Sequence, residues 1–474
     1  MSTETDAIDI RIQNETVSLP IEVLDRYNVY GPRYTSYPTA PEWSDEFGVD
    51  DLRRAFAAAN AEDHRPVSLY FHIPFCEKLC WFCGCNVIIN KDKEVAHPYL
   101  DRLKTEIDRF ADSVDPSRPT VQFHWGGGTP TYLSPEQMRD LYGHTASRFL
   151  ILPDAEIGLE VDPRVTTAEH MAAAAELGFN RVSMGVQDFD PQVQEAVNRN
   201  QTFEQTAATV AQAREHGVPS VNIDLMYGLP YQTIASFRET VERVIELSPE
   251  RIALFNYAHV PSLRHAQNAF RRMPMPVGLE KFEIFRAAIE RFTDAGYVFI
   301  GLDHFAKPED EMARAQVDRT LRRNFQGYTT KAGSDLYAMG VSSISQIGGA
   351  FAQNFRDTES YFARIDAGDL ATMRGMWLTD DDVLRSAVIE RFLCHCVIHT
   401  KEFEEEFGID FAETFADAIA DLRAHEADGM VRISDDRIEV TPLGRLFIRN
   451  LAMPFDAYLR RRSPDAKPIF SKTL

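Results

Sequence analysis

PVSLYFHI (66–73) runs through Pro74-Phe75 into CEKLCWFCGC (76–85), and the reading of this stretch decides the fold. The first eight residues are rich in β-branched, aromatic and leucine side chains and so read as a strand. The next ten hold four of the chain's six cysteines on what must be a short loop. Downstream, five more strands follow at regular spacing: TVQFHWG (120–126), EIGLEVD (156–162), RVSMGVQ (181–187), SVNIDLMYG (220–228) and RIALFNYAH (251–259). Helical stretches near 97–112, 135–148, 167–177, 202–216 and 235–248 separate them. The sequence TTAEHMAAAAELGF (166–179) shows why: Thr167 caps its start, alanine fills the middle and Gly178 stops it. Six strand–helix units in succession predict an α/β fold with a parallel sheet, an open or partial (β/α)6 barrel.

Outside the barrel the pattern changes. Residues 1–65 precede it and include YNVYGPRYTSYPTAPEW (27–43), whose Tyr, Pro and Gly content predicts an ordered arm. EKFEIFRAAIERFTDAGY (280–297) reads as a helix and VFIGLDHFAK (298–307) as a strand. From about 375 the chain turns helical, then offers MVRISDDRIEV (430–440), a hairpin turning at Asp435-Asp436, and a helix from Pro442. Helices around a short hairpin predict a small winged-helix-like domain. The expected divisions are 1–65 for the arm, 66–370 for the barrel and its extension, and 371–474 for the smaller domain.

Composition narrows the function. The 474 residues are 44% hydrophobic and 26% charged, ordinary values for a globular protein. Fifty basic against seventy-two acidic residues leave a net charge of −22, a poor match to phosphate backbones or anionic membranes. MSTETDAIDI at the start lacks the features of a signal peptide, and no apolar run is long enough to span a bilayer. A cytoplasmic, monomeric protein is expected. Six cysteines are too few for a disulfide framework, and four within ten residues point to metal or redox use.

Cys76, Cys80 and Cys83, at x3 and x2 spacing, suit one corner of an iron–sulfur cube, with a fourth iron left open to a ligand bearing amino and carboxylate groups. Zinc is the alternative, but it usually joins two separated ligand pairs, and no second pair stands out. Cys85 is ambiguous, because as a fourth ligand it would close the cluster and leave only electron transfer. Cys394 and Cys396 in RFLCHCVIHT (391–400) read as buried small residues of a helix.

Strand parity sorts the remaining candidates. Leu69, Phe71 and Ile73 share a face opposite Ser68, Tyr70 and His72. Likewise Ile157, Leu159 and Val161 oppose Gly158, Glu160 and Asp162, and Ile223 and Leu225 oppose Asn222 and Asp224. The apolar faces belong under helices, so Tyr70, Glu160, Gln187 and Asp224 are expected inside the barrel near the carboxyl ends of their strands. The run Gly126-Gly127-Gly128-Thr129-Pro130-Thr131 lacks the lysine of a phosphate loop. It reads as either a tight turn or part of the same site.

These residues together resemble the radical S-adenosylmethionine (SAM) superfamily and, within it, the oxygen-independent coproporphyrinogen III oxidase family. The likeness runs from about residue 27 to the C-terminus. It includes GPRYTSYPTA (31–40), the fourth cysteine in CGC, GGGTPT, DLMYGLPYQT (224–233), RNFQGYTT (323–330) and GRLFIRN (444–450). The resemblance implies a 4Fe–4S cluster on Cys76, Cys80 and Cys83, with Cys85 not a ligand, and two SAM molecules. Tyr70, Gly127 and Glu160 match positions around the cluster-bound SAM. Phe82, Gly128, Thr129, Gln187, Arg199, Asp224, Ala258 and Ile344 match those around the second, and Phe325 and Gln326 border the site. Implied partners are a tetrapyrrole substrate, an electron donor of flavodoxin or ferredoxin type and an unidentified acceptor. The implied reaction turns two propionates of coproporphyrinogen III into vinyl groups through a SAM-derived 5′-deoxyadenosyl radical. Because the substrate has four carboxylates, Arg33 of the arm is expected to anchor one. Two rival readings remain: a haem-trafficking relative without oxidase activity, which typically lacks CGC and RNFQGYTT, and an electron carrier with a closed cluster.

Overall fold

The computed structural model describes residues 7–61, 65–331, 333–463 and 467–473. The six expected strands form consecutively as β1 (Val67–Ile73), β2 (Thr120–Gly127), β3 (Ile151–Val161), β4 (Arg181–Gln187), β5 (Ser220–Tyr227) and β6 (Arg251–Asn256). Each pairs in parallel with the next. The crossovers carry α1 (His97–Ser113), α2 (Pro135–Arg148), α3 (Ala168–Glu176), α4 (Phe203–Glu215) and α5 (Ile234–Leu247). The last four helices start with capping boxes, in which Ser134, Thr167, Thr202 and Thr233 accept from the backbone N–H three residues on. The expected apolar faces are the covered ones: Leu69, Phe71, Ile73, Leu159, Ile223 and Leu225 are fully buried.

The sheet runs beyond those six strands. It continues through β7 (Val298–Gly301), β8 (His304–Ala306), β9 (Asp335–Met339), β10 (Ile344–Ile347), β11 (Ala350–Asn354) and β12 (Thr372–Trp377). The order is β7-β8-β6-β5-β4-β3-β2-β1-β9-β10-β11-β12. β9 lies parallel to β1, and the outer strands are antiparallel. β7 and β12 do not pair with each other, so the barrel is partial and open. The single strand expected at 298–307 is two, because the chain reverses at Gly301 (φ +142°) and Leu302 (φ +50°). β12 lies wholly beyond residue 370, where the expected division between barrel and smaller domain falls, yet belongs to the barrel's sheet.

The smaller C-terminal part packs helices Asp380–His395, Thr400–Phe407 and Ala416–Ala427 around an antiparallel sheet in which Arg437–Val440 lies between Val397–His399 and Val431–Ile433. The expected hairpin at 430–440 is thus part of a three-stranded wing. The helix ends at His395: Cys394 is buried inside it, whereas Cys396 leaves it in a left-handed conformation (φ +57°). The N-terminal region is richer than an arm. It opens with a hairpin, Ala7–Ile12 on Glu15–Pro20, that buries Ile8, Ile10 and Ile12, and it adds a helix over Val49–Ala61. Tyr34 donates to Asp456 and Tyr37 accepts from the Ala457 N–H, which fastens the intervening segment to the C-terminal domain.

Candidate active site

The cysteine loop leaves β1 and is tied at both ends. Phe75–Cys76 pairs in parallel with Ile88–Ile89, and the Asn90 N–H donates to the Cys76 carbonyl at 3.0 Å. Its middle docks on the segment after β4: Trp81 N–H donates to the Val197 carbonyl at 3.0 Å, and Asn198 donates its amide to the Leu79 carbonyl at 2.7 Å. Asn198 holds a left-handed conformation (φ +56°) to do so. Its sequence context, VNRNQ (197–201), carries no signal that would have marked it.

Cys76, Cys80 and Cys83 ring a cavity of about 150 Å³. Among the described residues no three His, Cys, Asp or Glu side chains converge on a single-ion site, as the bond length of about 2.3 Å to each zinc sulfur demands. Thr129 hydroxyl lies 3.5 Å from Cys76, and the Arg199 and Arg164 guanidinium groups reach Cys80 at 3.5 and 3.6 Å. Burial pushes the Cys76 thiol up to about 11. Cys83 goes the other way, lowered first by its hydrogen bond with Cys85 and also by Arg264 and Arg199. Cys85 lines this cavity as well.

The glycine run crosses directly behind the loop. Gly128 N–H donates to the Ile73 carbonyl at 2.8 Å and Thr129 N–H to the Phe75 carbonyl at 2.8 Å. A Cβ on Gly128 would stand 2.7 Å from the Pro74 and Phe75 backbone, and one on Gly127 (φ +110°) 2.6 Å from the His72 ring. The glycines therefore admit the cysteine segment itself. Gly127 N–H also donates to the Glu160 carboxylate at 3.1 Å. Burial alone would raise Glu160, but His124 and this N–H hold it below the usual carboxylate range.

Phe82, Gly127, Gly128, Thr129, Glu160, Gln187, Arg199 and Asp224 all border the same small cavity. Gln187 ends β4 at a register shift with φ +70°, a bulge that aims its side chain inward. Its Oε1 and the Arg199 Nε are buried without a hydrogen-bond partner, which fits a polar ligand seated against them. Asp162 and Arg164, which strand parity alone did not single out as site residues, join them. Arg164 sits 2.6 Å and Arg199 3.4 Å from Asp162; burial would raise this acid, but the two cations hold it at about 2. Among the described residues Asp224 has no such cation in contact; it accepts from Asn222 at 2.7 Å, and burial lifts it to about 7.

A second cavity of about 450 Å³ shares Cys85, Gly127 and Glu160 with the first and adds Tyr70, Ile344, Phe325 and Gln326. Tyr70 donates to His72 Nδ1 at 3.2 Å while His72 Nε2 donates to the Asn86 carbonyl at 2.9 Å, and the Tyr70 ring stacks on His124. Phe325 and Gln326 sit at the tip of a small hairpin, Arg322–Asn324 on Gly327–Thr329, inside the RNFQGYTT block. Two of the expected residues lie outside both cavities. Ala258 borders neither cavity; its carbonyl and that of Phe82 accept from the same Gln267 amide. Arg33 also borders neither: Asp303 neutralises it, and its guanidinium lies 5.4 Å from the Phe255 ring centre.

The comparisons with known proteins agree with this geometry. Residues 70–244 match the radical SAM superfamily and residues 378–447 the HemN C-terminal domain. The chain is 44% identical to the oxygen-independent coproporphyrinogen III oxidase of Pseudomonas aeruginosa over 94% of its own length and 97% of the relative's. It is 45% identical to the Escherichia coli enzyme of the same name, over 95% and 97%. A solved structure of coproporphyrinogen III oxidase (HemN) from Escherichia coli, described as a radical SAM enzyme, superposes with a TM-score of 0.87, covering 90% of this chain and 97% of that one. The chain therefore belongs to the oxygen-independent coproporphyrinogen III oxidase family of the radical SAM superfamily.

Proposed function

We propose that this protein oxidatively decarboxylates two propionate side chains of coproporphyrinogen III to vinyl groups without oxygen, giving protoporphyrinogen IX in haem biosynthesis. The observation that carries the reading is the ring of three loop thiols opening, through Gly127 and Glu160, onto a larger cavity at the carboxyl end of a parallel barrel, in a chain 45% identical to a named oxidase. A 4Fe–4S cluster and SAM follow from the family; held at Cys76, Cys80 and Cys83, they would supply the radical chemistry that oxidises a propionate side chain.

The chain's own residues supply placement and exclusion of water. Cys76, Cys80 and Cys83 are the proposed cluster ligands. Glu160, kept ionised by His124 and Gly127, offers a carboxylate to an ammonium group, and Tyr70 forms an adjoining wall. Phe82, Gly128, Thr129, Gln187, Arg199 and Asp224 are proposed to hold a second SAM, supported by the unpartnered Gln187 and Arg199 atoms. Ile344, from the second cavity, completes that set, whereas Ala258 reaches it only through Gln267. The reading includes a flavodoxin- or ferredoxin-type donor and an unidentified electron acceptor, with the chain acting as a cytoplasmic monomer. No helix among the described residues is long and apolar enough to cross a membrane.

The test is anaerobic reconstitution, reduction, and incubation with SAM and coproporphyrinogen III. Protoporphyrinogen IX should appear with methionine and 5′-deoxyadenosine. SAM cleavage without vinyl product would move the role to haem trafficking. Cys85→Ser should retain full cluster iron and its absorbance; loss of iron would make Cys85 a ligand and favour a closed electron carrier.

A further inference from the structure

The proposed substrate carries four carboxylates, yet the chain's net charge is −22, so local positive charge must overcome a repelling field. Many of the protein's guanidinium groups are already paired with a carboxylate: Arg33 with Asp303, Arg118 with Asp335, while Arg164 and Arg199 share Asp162. The 450 Å³ cavity is different. Arg264, Arg356 and Arg374 line it, and among the described residues none of the three has a carboxylate oxygen within 4.0 Å.

The three arrive from opposite ends of the sheet order. Arg264 lies on the loop after β6, Arg356 just beyond β11 and Arg374 on β12. Arg374 is held ready: its Nε donates to Gln353 at 2.8 Å and its guanidinium sits 5.8 Å from the Trp43 ring centre. Its Nη groups make no hydrogen bond among the described residues and so keep the forked donors that suit a carboxylate. Burial first, and then the adjacent Arg356, pull Arg374 below its ordinary value, with Asp45 opposing. Two like charges facing one partly desolvated space cost energy that a bound carboxylate returns. Arg264 stands on the thiol side, where its charge lowers Cys83. The cavity's own acid, Glu160, is engaged by His124 and Gly127.

We propose that Arg264, Arg356 and Arg374 anchor the substrate's carboxylates, the Arg356–Arg374 pair taking one propionate and Arg264 another. This assignment rests on the oxidase reading and replaces the expected role of Arg33. Anchoring by charge also allows one tetrapyrrole to be reseated between its two decarboxylations, since each propionate presents the same group.

Fluorescence titration of the reconstituted holoenzyme with coproporphyrin III, the fluorescent form with the same four carboxylates, and with its tetramethyl ester tests the assignment. The wild type should prefer the acid. The double variant Arg356→Ala/Arg374→Ala and the single variant Arg264→Ala should each bind the acid about tenfold more weakly and approach the ester's affinity. Cluster iron and SAM binding should be unchanged, which reports a folded site. Arg374→Lys should recover part of the acid preference, and exposed Arg432→Ala should match the wild type. If the variants keep the wild-type preference, the anchors are wrong and the oxidase reading stands. If the folded wild type binds SAM but neither porphyrin, both readings fall together.

Discussion

Asp162 and Asp224 border one cavity and are pushed in opposite directions by their neighbours. Asp162 lies between two guanidinium groups and is held at about 2, whereas Asp224, buried with Asn222 as its hydrogen-bond donor, is lifted to about 7. Asp224 binds its proton more tightly folded than unfolded, so its stabilising contribution is full below about pH 4 and lost as pH rises through about 7. Thermal midpoints of the unliganded wild type should therefore fall between about pH 4 and 7 relative to Asp224→Asn; parallel curves would discount burial as the cause. Gly128 carries a different constraint. A methyl there meets Pro74 and Phe75 backbone at 2.7 Å, which no rotamer relieves. Gly128→Ala should cost about 3 kcal/mol, and reconstituted iron content should drop with it. Retention of full iron at wild-type stability would show that the cysteine segment yields.

Barrel elements follow local rules closely enough to be read one at a time. Thr202 starts α4 with its hydroxyl on the Gln205 N–H and Gln205 returning to the Thr202 N–H. Thr202→Ala should lower stability by about 1 kcal/mol in chemical denaturation and leave SAM binding untouched, since this end of the helix borders neither cavity. A change in SAM affinity would imply coupling from this cap to the Arg199–Gln201 turn before it. The outer strands obey no such local rule. β9 is a run of five buried residues and β10 four residues of which Gln346 is exposed, both too short to announce themselves. Each exists because a neighbouring strand offers an unpaired edge.

Across the whole molecule, two motifs more than four hundred residues apart meet at one side chain. Arg449, in GRLFIRN, is buried and donates to the carbonyls of Gly31 and Pro32 in GPRYTSYPTA and of Lys472 and Thr473 in the C-terminal tail. Burial, and next the charge of Arg33, draw it down to about 10. Arg449→Met should leave these carbonyls without their donor, costing about 3 kcal/mol. Hydrogen exchange should then rise in residues 27–38 and in the tail, while the barrel core stays protected. Uniform protection would mean that the arm's other contacts, among them Tyr34, Tyr37 and the Asn450 bond to Tyr27, hold it without Arg449.

From the sequence by itself came the six parallel strands, their crossover helices, the inward face bearing Tyr70, Glu160, Gln187 and Asp224, and the three loop cysteines. These are legible because alternation, caps and cysteine spacing are local properties of the chain. Only the tertiary structure decided which cations are free. Arg33 stands in a motif of the arm yet meets Asp303, 270 residues away, while Arg264, Arg356 and Arg374 lie in unremarkable sequence. Charge neutralisation depends on pairs brought together by folding, and no pattern along the chain records it.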